Sequence, residues 1–217
     1  MEFEKTKYNG VYISWKDKRK LYFTKGKDSL FGERLIEGYR EVNITRSKIF
    51  AAIAKGISKT FLKEGDKVLY LGASYGYTPS FISDIVGDTG FVFCIDFAPR
   101  VVIDLVNICE KRKNMTAILG NASKPEEYQD RIVDVDVIYQ DVAQKNQVDI
   151  LFKNLKFLKK NGYILFAIKA RSINVIKNPK VIFKEIEEQL KKQVKILDFM
   201  VLDPYEKDHC FYICQKK

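Results

Sequence analysis

The sequence predicts an α/β protein, a mostly parallel sheet with helices on both faces, preceded by a small β subdomain. Three observations predict it. From Lys67 onward, short apolar runs alternate with stretches of helical period. The first of these runs, Lys67-Val68-Leu69-Tyr70-Leu71, passes through a loop bearing Gly72 and Gly76 into a segment where Pro79 suits the first turn of a helix. Before residue 46 the pattern is β-type instead. Residues 1–45 are therefore expected to form the N-terminal β subdomain, and residues 46–217 the main domain.

In the first segment, Val11–Trp15 and Leu21–Thr24 are β-type runs joined by the basic stretch Lys16–Lys20, which predicts a hairpin. Gly26, Gly32 and Gly38 mark turns after it. Thr45 is a good N-cap, and Ile49, Phe50, Ile53, Ala54, Ile57 and Phe61 recur at helical spacing, so a helix is expected from there to Gly65. Strands are then expected at Val68–Leu71, Phe91–Ile95, Thr116–Leu119, Val135–Tyr139 and Tyr163–Lys169. Helices are expected between them at Thr78–Val86, Pro99–Lys111 and Asn146–Leu158, with a last one at Pro179–Lys192. Near-continuous apolar strands fit burial on both sides. Val194–Leu202 and Cys210–Cys214 have no helix between them and read as a closing hairpin.

Composition narrows the function classes. With 217 residues and 46% apolar content the chain can bury a real core. No apolar run approaches the roughly 18 residues of a membrane span, and Met1-Glu2-Phe3-Glu4-Lys5 lacks the apolar stretch of a signal peptide. Cys94, Cys109, Cys210 and Cys214 form no C-x-x-C pair and read as reduced core thiols. One histidine, His209, excludes a histidine-rich metal site. The net charge of +10 favours a nucleic-acid partner, since lysines release phosphate counterions; a lysine-rich compositional habit gives the same excess.

The glycine loop is not a G-x-G-x-x-G dinucleotide fingerprint, because Gly72 and Gly76 stand four apart. Nor is it a P-loop, since no Lys-Ser or Lys-Thr follows. Asp96 ends the next apolar run where a ribose-binding carboxylate would sit, although a plain tight turn accounts for the loop alone. The other strand ends add weight to a ligand. Asp96-Phe97, Gly120-Asn121-Ala122, Gln140-Asp141-Val142-Ala143-Gln144 and Lys169-Ala170-Arg171 gather polar residues beyond apolar strand bodies. A sheet serving only as structure needs no such convergence.

Five parallel-type strands and a terminal hairpin are similar to the Rossmann-like, seven-stranded S-adenosylmethionine-dependent methyltransferase fold. More specifically, the chain resembles the fibrillarin family, the RNA 2′-O-methyltransferases of box C/D guide-RNA particles, in their short archaeal form. Among the stretches that carry this are Arg46-Ser47-Lys48, Val68-Leu69-Tyr70-Leu71-Gly72-Ala73, Gln140-Asp141-Val142-Ala143-Gln144, Ala167-Ile168-Lys169-Ala170-Arg171-Ser172 and Pro204-Tyr205-Glu206-Lys207-Asp208-His209. The likeness runs through nearly the whole chain.

The resemblance implies S-adenosyl-L-methionine as cofactor. It places Gly72, Tyr77 and Thr78 along the methionine moiety, and Asp96 and Phe97 on the ribose diol and adenine face. Asn121 and Ala122 fall at the adenine edge, with Asp141 and Gln144 near the methionine end. Three departures from the family pattern stand out. Tyr75 and Tyr77 enter a loop usually written Ala-Ala-Ser-Gly-Thr-Thr, Asp96 stands for glutamate, and Asn121 replaces a carboxylate. The resemblance also implies a catalytic tetrad of Lys48, Asp141, Lys169 and His209. In it Lys169 would accept the proton of the attacking hydroxyl, with Asp141 positioning it. Burial or the neighbouring Lys48 cation would lower the Lys169 pKa, and Lys48 and His209 would orient the target ribose and phosphate.

Expected partners are box C/D guide RNA, its target rRNA or tRNA, a Nop-domain scaffold protein and a kink-turn-binding, ribosomal-protein-like subunit. No membrane partner is expected, and without the glycine–arginine-rich region of eukaryotic forms the expected location is cytoplasmic. The competing reading is a non-catalytic module of the same fold, motivated by Tyr75, Tyr77 and Asn121.

Overall fold

The computed structural model describes residues 1–217 and contains two sheets. The first comprises β1 (Glu4–Lys5), β2 (Val11–Lys16), β3 (Arg19–Lys25), β4 (Leu35–Ile36) and β5 (Tyr39–Val42), in the order β1-β2-β3-β5-β4 with all pairs antiparallel. The hairpin is tighter than the basic stretch implied. Lys16 pairs with Arg19, leaving a two-residue turn in which Asp17 and Lys18 both take positive φ, the backbone that matches strand twist. The glycine-marked segment holds the short β4–β5 hairpin, which carries too few apolar residues to announce itself.

The next helix is shorter than its pattern. Ser47 caps α1 (Lys48–Ala54), while Thr45 sits in a 3₁₀ turn capped by the Asn43 side chain. Gly56 at φ +89 ends it, and Ile57 is buried by the loop that follows rather than by a helix. Spacing alone had extended the helix to Phe61, because buried loop residues mimic its period.

From Lys67 the alternation is as expected: β6 (Lys67–Leu71), α2 (Tyr77–Val86), β7 (Phe91–Asp96), α3 (Pro99–Glu110), β8 (Met115–Leu119), β9 (Val135–Gln140), α4 (Gln147–Asn154) and β10 (Leu158–Lys169). A one-turn helix, α5 (Ala170–Ile173), precedes α6 (Pro179–Leu190), and β11 (Val194–Val201) and β12 (His209–Lys216) close the chain. The sheet order is β11-β12-β10-β9-β6-β7-β8, and β12 alone runs against the rest. The chain leaves β6 toward β8, then returns to place β9 on the other side of β6. This reversal opens a crevice at the strand C-termini.

Strand alternation divides the core. Val68 and Tyr70 join α1, α2 and α3 on one face, while Leu69 and Leu71 join α4 and α6 on the other. The first sheet packs on the former face, since Tyr8, Val11, Ile13, Tyr22 and Val42 share a cluster with Phe50 and Phe81. A buried ionic network reinforces this join. Arg40, with a fully buried side chain, donates to Glu33, Ser80 and Asp84, and Asp84 also receives Arg112 and the Thr24 hydroxyl. All four cysteines are free. No helix is long and apolar enough to cross a membrane.

Candidate functional site at the strand ends

Parallel strands deliver their C-terminal ends to one rim, and β12, running the other way, delivers its first residue there. Lys169 and His209 are consequently partners in the β10–β12 register. Lys48 comes to the same rim as the first residue of α1, and Asp141 as the residue after β9. Four residues spread over the whole sequence thus meet.

The loop after β6 is built on close approach. Gly72 has φ +81, and a Cβ there would lie 2.3 Å from the Asp141 carbonyl oxygen, so only glycine fits. Ser74, at φ +48, donates its backbone N–H to Asp96 Oδ2 at 2.9 Å, and Ala98 N–H donates to Oδ1 at 3.1 Å. Asp96 is thereby fixed, yet each oxygen keeps acceptor capacity for a diol. Phe97 beside it is 65% exposed, a flat apolar surface at the crevice. Asn121 accepts the Ser123 N–H at 2.9 Å through Oδ1, which leaves Nδ2 without a partner and turned to donating. Ala122 is buried next to it, and Gln144 accepts the Ser123 hydroxyl at 3.2 Å.

Two of the residues expected at the cofactor have their side chains engaged elsewhere. The Tyr77 side chain does not enter the rim. Its hydroxyl accepts the Asn43 N–H at 3.0 Å, and its ring packs on Phe31, on Phe81 and under the Arg46 guanidinium, which lies 4.1 Å from the ring centroid. The apolar first sheet offers an aromatic side chain more contact than a polar crevice does. Thr78 is buried, with its hydroxyl bonded to Ser47 Oγ at 3.1 Å, so it supports α1 from behind.

The tetrad is also arranged differently. Asp141 Oδ2 pairs with Lys48 Nζ at 2.7 Å instead of holding Lys169. Burial pulls the Lys48 ammonium down, but the Asp141 charge and hydrogen bond, with the Glu206 charge, outweigh it and hold Lys48 above the ordinary lysine range. Lys48 is therefore a fixed cation. Lys169 is exposed and makes no ion pair.

His209 is 8% exposed, and its Nδ1 lies 2.7 Å from the Lys207 carbonyl. A carbonyl only accepts, so Nδ1 carries the hydrogen and Nε2 the free lone pair. Burial first, and then the Lys48 charge, hold its pKa below the ordinary value of 6.5, against the opposing Lys207 bond and the Glu206 and Asp141 charges. The sign follows. The unfolded chain binds this proton more readily than the folded one, so stability is full above about pH 6.5 and falls as the pH drops toward the lowered folded value. His209→Gln should flatten the part of the pH 8 to 5.5 urea-unfolding profile that lies nearest neutrality; an unchanged slope there would contradict a depressed His209.

Residues missed by sequence reasoning include Glu206, whose carboxylate is 3.9 Å from His209 Nδ1, and Gln140 and Gln147, both fully buried near Lys169. Glu206 lies within a stretch already singled out. Gln140 likewise lies in a stretch already singled out, whereas Gln147 gave no signal, since it sits on a different element.

Fold and rim together define a seven-stranded, Rossmann-like protein of the S-adenosylmethionine-dependent methyltransferase class. A family model described as Fibrillarin matches residues 3–217. The chain belongs to the fibrillarin family. It is 44% identical over 225 residues to a fibrillarin-like rRNA/tRNA 2′-O-methyltransferase of Pyrococcus furiosus, covering 100% of this chain and 99% of the relative. Aeropyrum pernix fibrillarin, solved with natively bound S-adenosyl-L-methionine, superposes with a TM-score of 0.89 at 39% identity, over 99% of this chain and 98% of that one. A fibrillarin/Nop5p complex structure gives 0.91 at 36% identity, over 98% and 100%.

Proposed function

We propose that the chain is an RNA ribose 2′-O-methyltransferase using S-adenosyl-L-methionine, acting on rRNA or tRNA selected by box C/D guide RNA. The observation that carries this reading is the meeting of Lys48, Asp141, Lys169 and His209 at the rim shared with Asp96 and Phe97. The rim suits the cofactor. Asp96 has acceptors left for the ribose diol, Phe97 offers a face to adenine, and Asn121 Nδ2 offers an edge donor. Ala122, Gly72, Asp141 and Gln144 complete the set. The cofactor supplies an electrophilic methyl on a sulfonium.

The Lys169 side chain accepts the proton of the ribose 2′-hydroxyl as that oxygen attacks in line. The Lys48–Asp141 pair keeps a cation in place for the RNA phosphate, and neutral His209 offers Nε2 to the ribose. The non-catalytic alternative loses its main motive, because Tyr77 turns away from the crevice and Tyr75 is 49% exposed.

A Nop-domain scaffold is the partner that the relative's complex supports most directly. Guide RNA and a kink-turn-binding subunit complete the proposed particle, in the cytoplasm, with residues 1–45 as an N-terminal subdomain offering a docking surface. Reconstituted with such partners, the chain should methylate a matched target and should not methylate the same target carrying 2′-deoxy at that nucleotide. Transfer to the deoxy target would overturn ribose chemistry.

A further inference from the structure

Strand β10 outruns its neighbour. It pairs with β9 as far as Phe166 opposite Gln140, and continues to Lys169 against β12 alone. Backbone groups alternate sides along a strand, and Ala170 N–H donating to Asp208 O at 3.0 Å sets the phase. The N–H and C=O of Lys169 therefore face the place that β9 has vacated. Gln147, at the start of α4, fills it. Its Oε1 accepts Lys169 N–H at 3.3 Å, and its Nε2 donates to Lys169 O at 3.4 Å. A primary amide thus copies the donor and acceptor of a strand residue. Gln140, the last residue of β9, donates from Nε2 to the Gln147 carbonyl at 2.7 Å, so the substitute strand is held by the one it replaces. Gln140 and Gln147 are both fully buried.

We propose that Gln147 is a positioning residue for Lys169: its side-chain amide extends the sheet by one rung and fixes the direction in which the Lys169 amine leaves it. The proposal rests on the reading of Lys169 as proton acceptor. Lys169 holds extended backbone angles, φ −100 and ψ 102, directly before α5. With the Gln147 amide removed, two backbone groups would be left unpaired at the point where strand turns into helix, and α5 could extend backward or the strand fray.

The test uses the full chain in the reconstituted particle. Gln147→Leu removes both bonds at similar volume and is expected to lower the single-turnover rate about 10–100-fold, the cost of a misplaced reactive group. Calorimetric affinity for S-adenosylmethionine should stay within about twofold, since the Gln147 side chain bonds the Lys169 backbone and none of Asp96, Asn121 and Gln144. Gln147→Glu gives the discriminating readout. A protonated carboxyl retains one donor and one acceptor, whereas the carboxylate only accepts. The rate of that variant relative to wild type should therefore fall as pH rises, over a range where both melt alike. A wild-type rate in Gln147→Leu, or a flat ratio for Gln147→Glu, overturns the proposal. Absence of transfer by the wild type would instead overturn the functional reading beneath it. If the leucine variant does not fold, the glutamate variant decides alone.

Discussion

Lys169→Ala is expected to lower methyl transfer by about 10²–10⁴-fold while leaving S-adenosylmethionine affinity within about twofold. The reaction needs an acceptor for the 2′-hydroxyl proton, and the rim offers few. Asp141 is occupied by Lys48, which is held as a cation, and the neutral His209 has only Nε2 free. Lys169 is the basic group without a salt-bridge partner, at the end of a strand whose preceding residues Ile164 to Ile168 are all buried. Asp96, Phe97 and Asn121 belong to other strand ends, so cofactor binding should survive. Lys169→Arg separates charge from proton transfer. It keeps the cation, but guanidinium does not give up its proton in a usable pH range, so it should be as slow as alanine. Single-turnover methylation and calorimetry measure the two quantities. A fast arginine variant would make Lys169 an electrostatic anchor and overturn the assignment of the base.

Asp84→Ala should destabilise the protein by about 3–5 kcal/mol, because it leaves Arg112 without its carboxylate partner and the buried Arg40 with Glu33 alone. For a chain of this size that corresponds to a fall in Tm of roughly 6–20 °C. Asp84 has a side chain only 1% exposed and accepts from Arg40 Nη1 at 2.7 Å, from Thr24 Oγ1 at 2.7 Å and from Arg112 Nη1. Arg40 spends its donors on Glu33, Ser80 and Asp84, and lies 4.2 Å over the Phe81 ring. The two arginines are balanced by Asp84 and Glu33, whose carboxyl is held below the ordinary range: burial raises it, and the Leu30 N–H and Arg40 bonds outweigh that rise. Removing Asp84 breaks that balance where water cannot restore it. Thermal and urea unfolding read the effect, and a Tm within about 3 °C of wild type would show the network to be dispensable.

Much of the fold was legible because buried parallel strands write themselves as apolar runs. β6, β7, β9 and β10 fell within a residue or two of their expected bounds, apart from the early start of β10 at Leu158. That start is a register shift between Leu158 and Tyr163, carried by polar residues that no apolar pattern marks. The false extension of α1 has the opposite origin, loop residues buried at helical spacing. In the site, the strand ends were readable as positions but not as pairs. Nothing in the order of residues shows that Asp141 faces Lys48 before Lys169, or that an aromatic ring at 77 finds the first sheet more attractive than the crevice. Pairing of this kind is decided by three-dimensional distance, which the chain order hides.

Gly72 links the two halves of the site mechanically. The carbonyl of Asp141 lies where a Cβ of residue 72 would be, so the loop proposed to receive the cofactor and the loop that carries the carboxylate rest on each other with no slack. A displacement of either is transmitted to the other without attenuation. Where this loop faces outward it carries Tyr75 in solvent and Tyr77 against the first sheet. The approach of these two loops is thus set by one missing side chain.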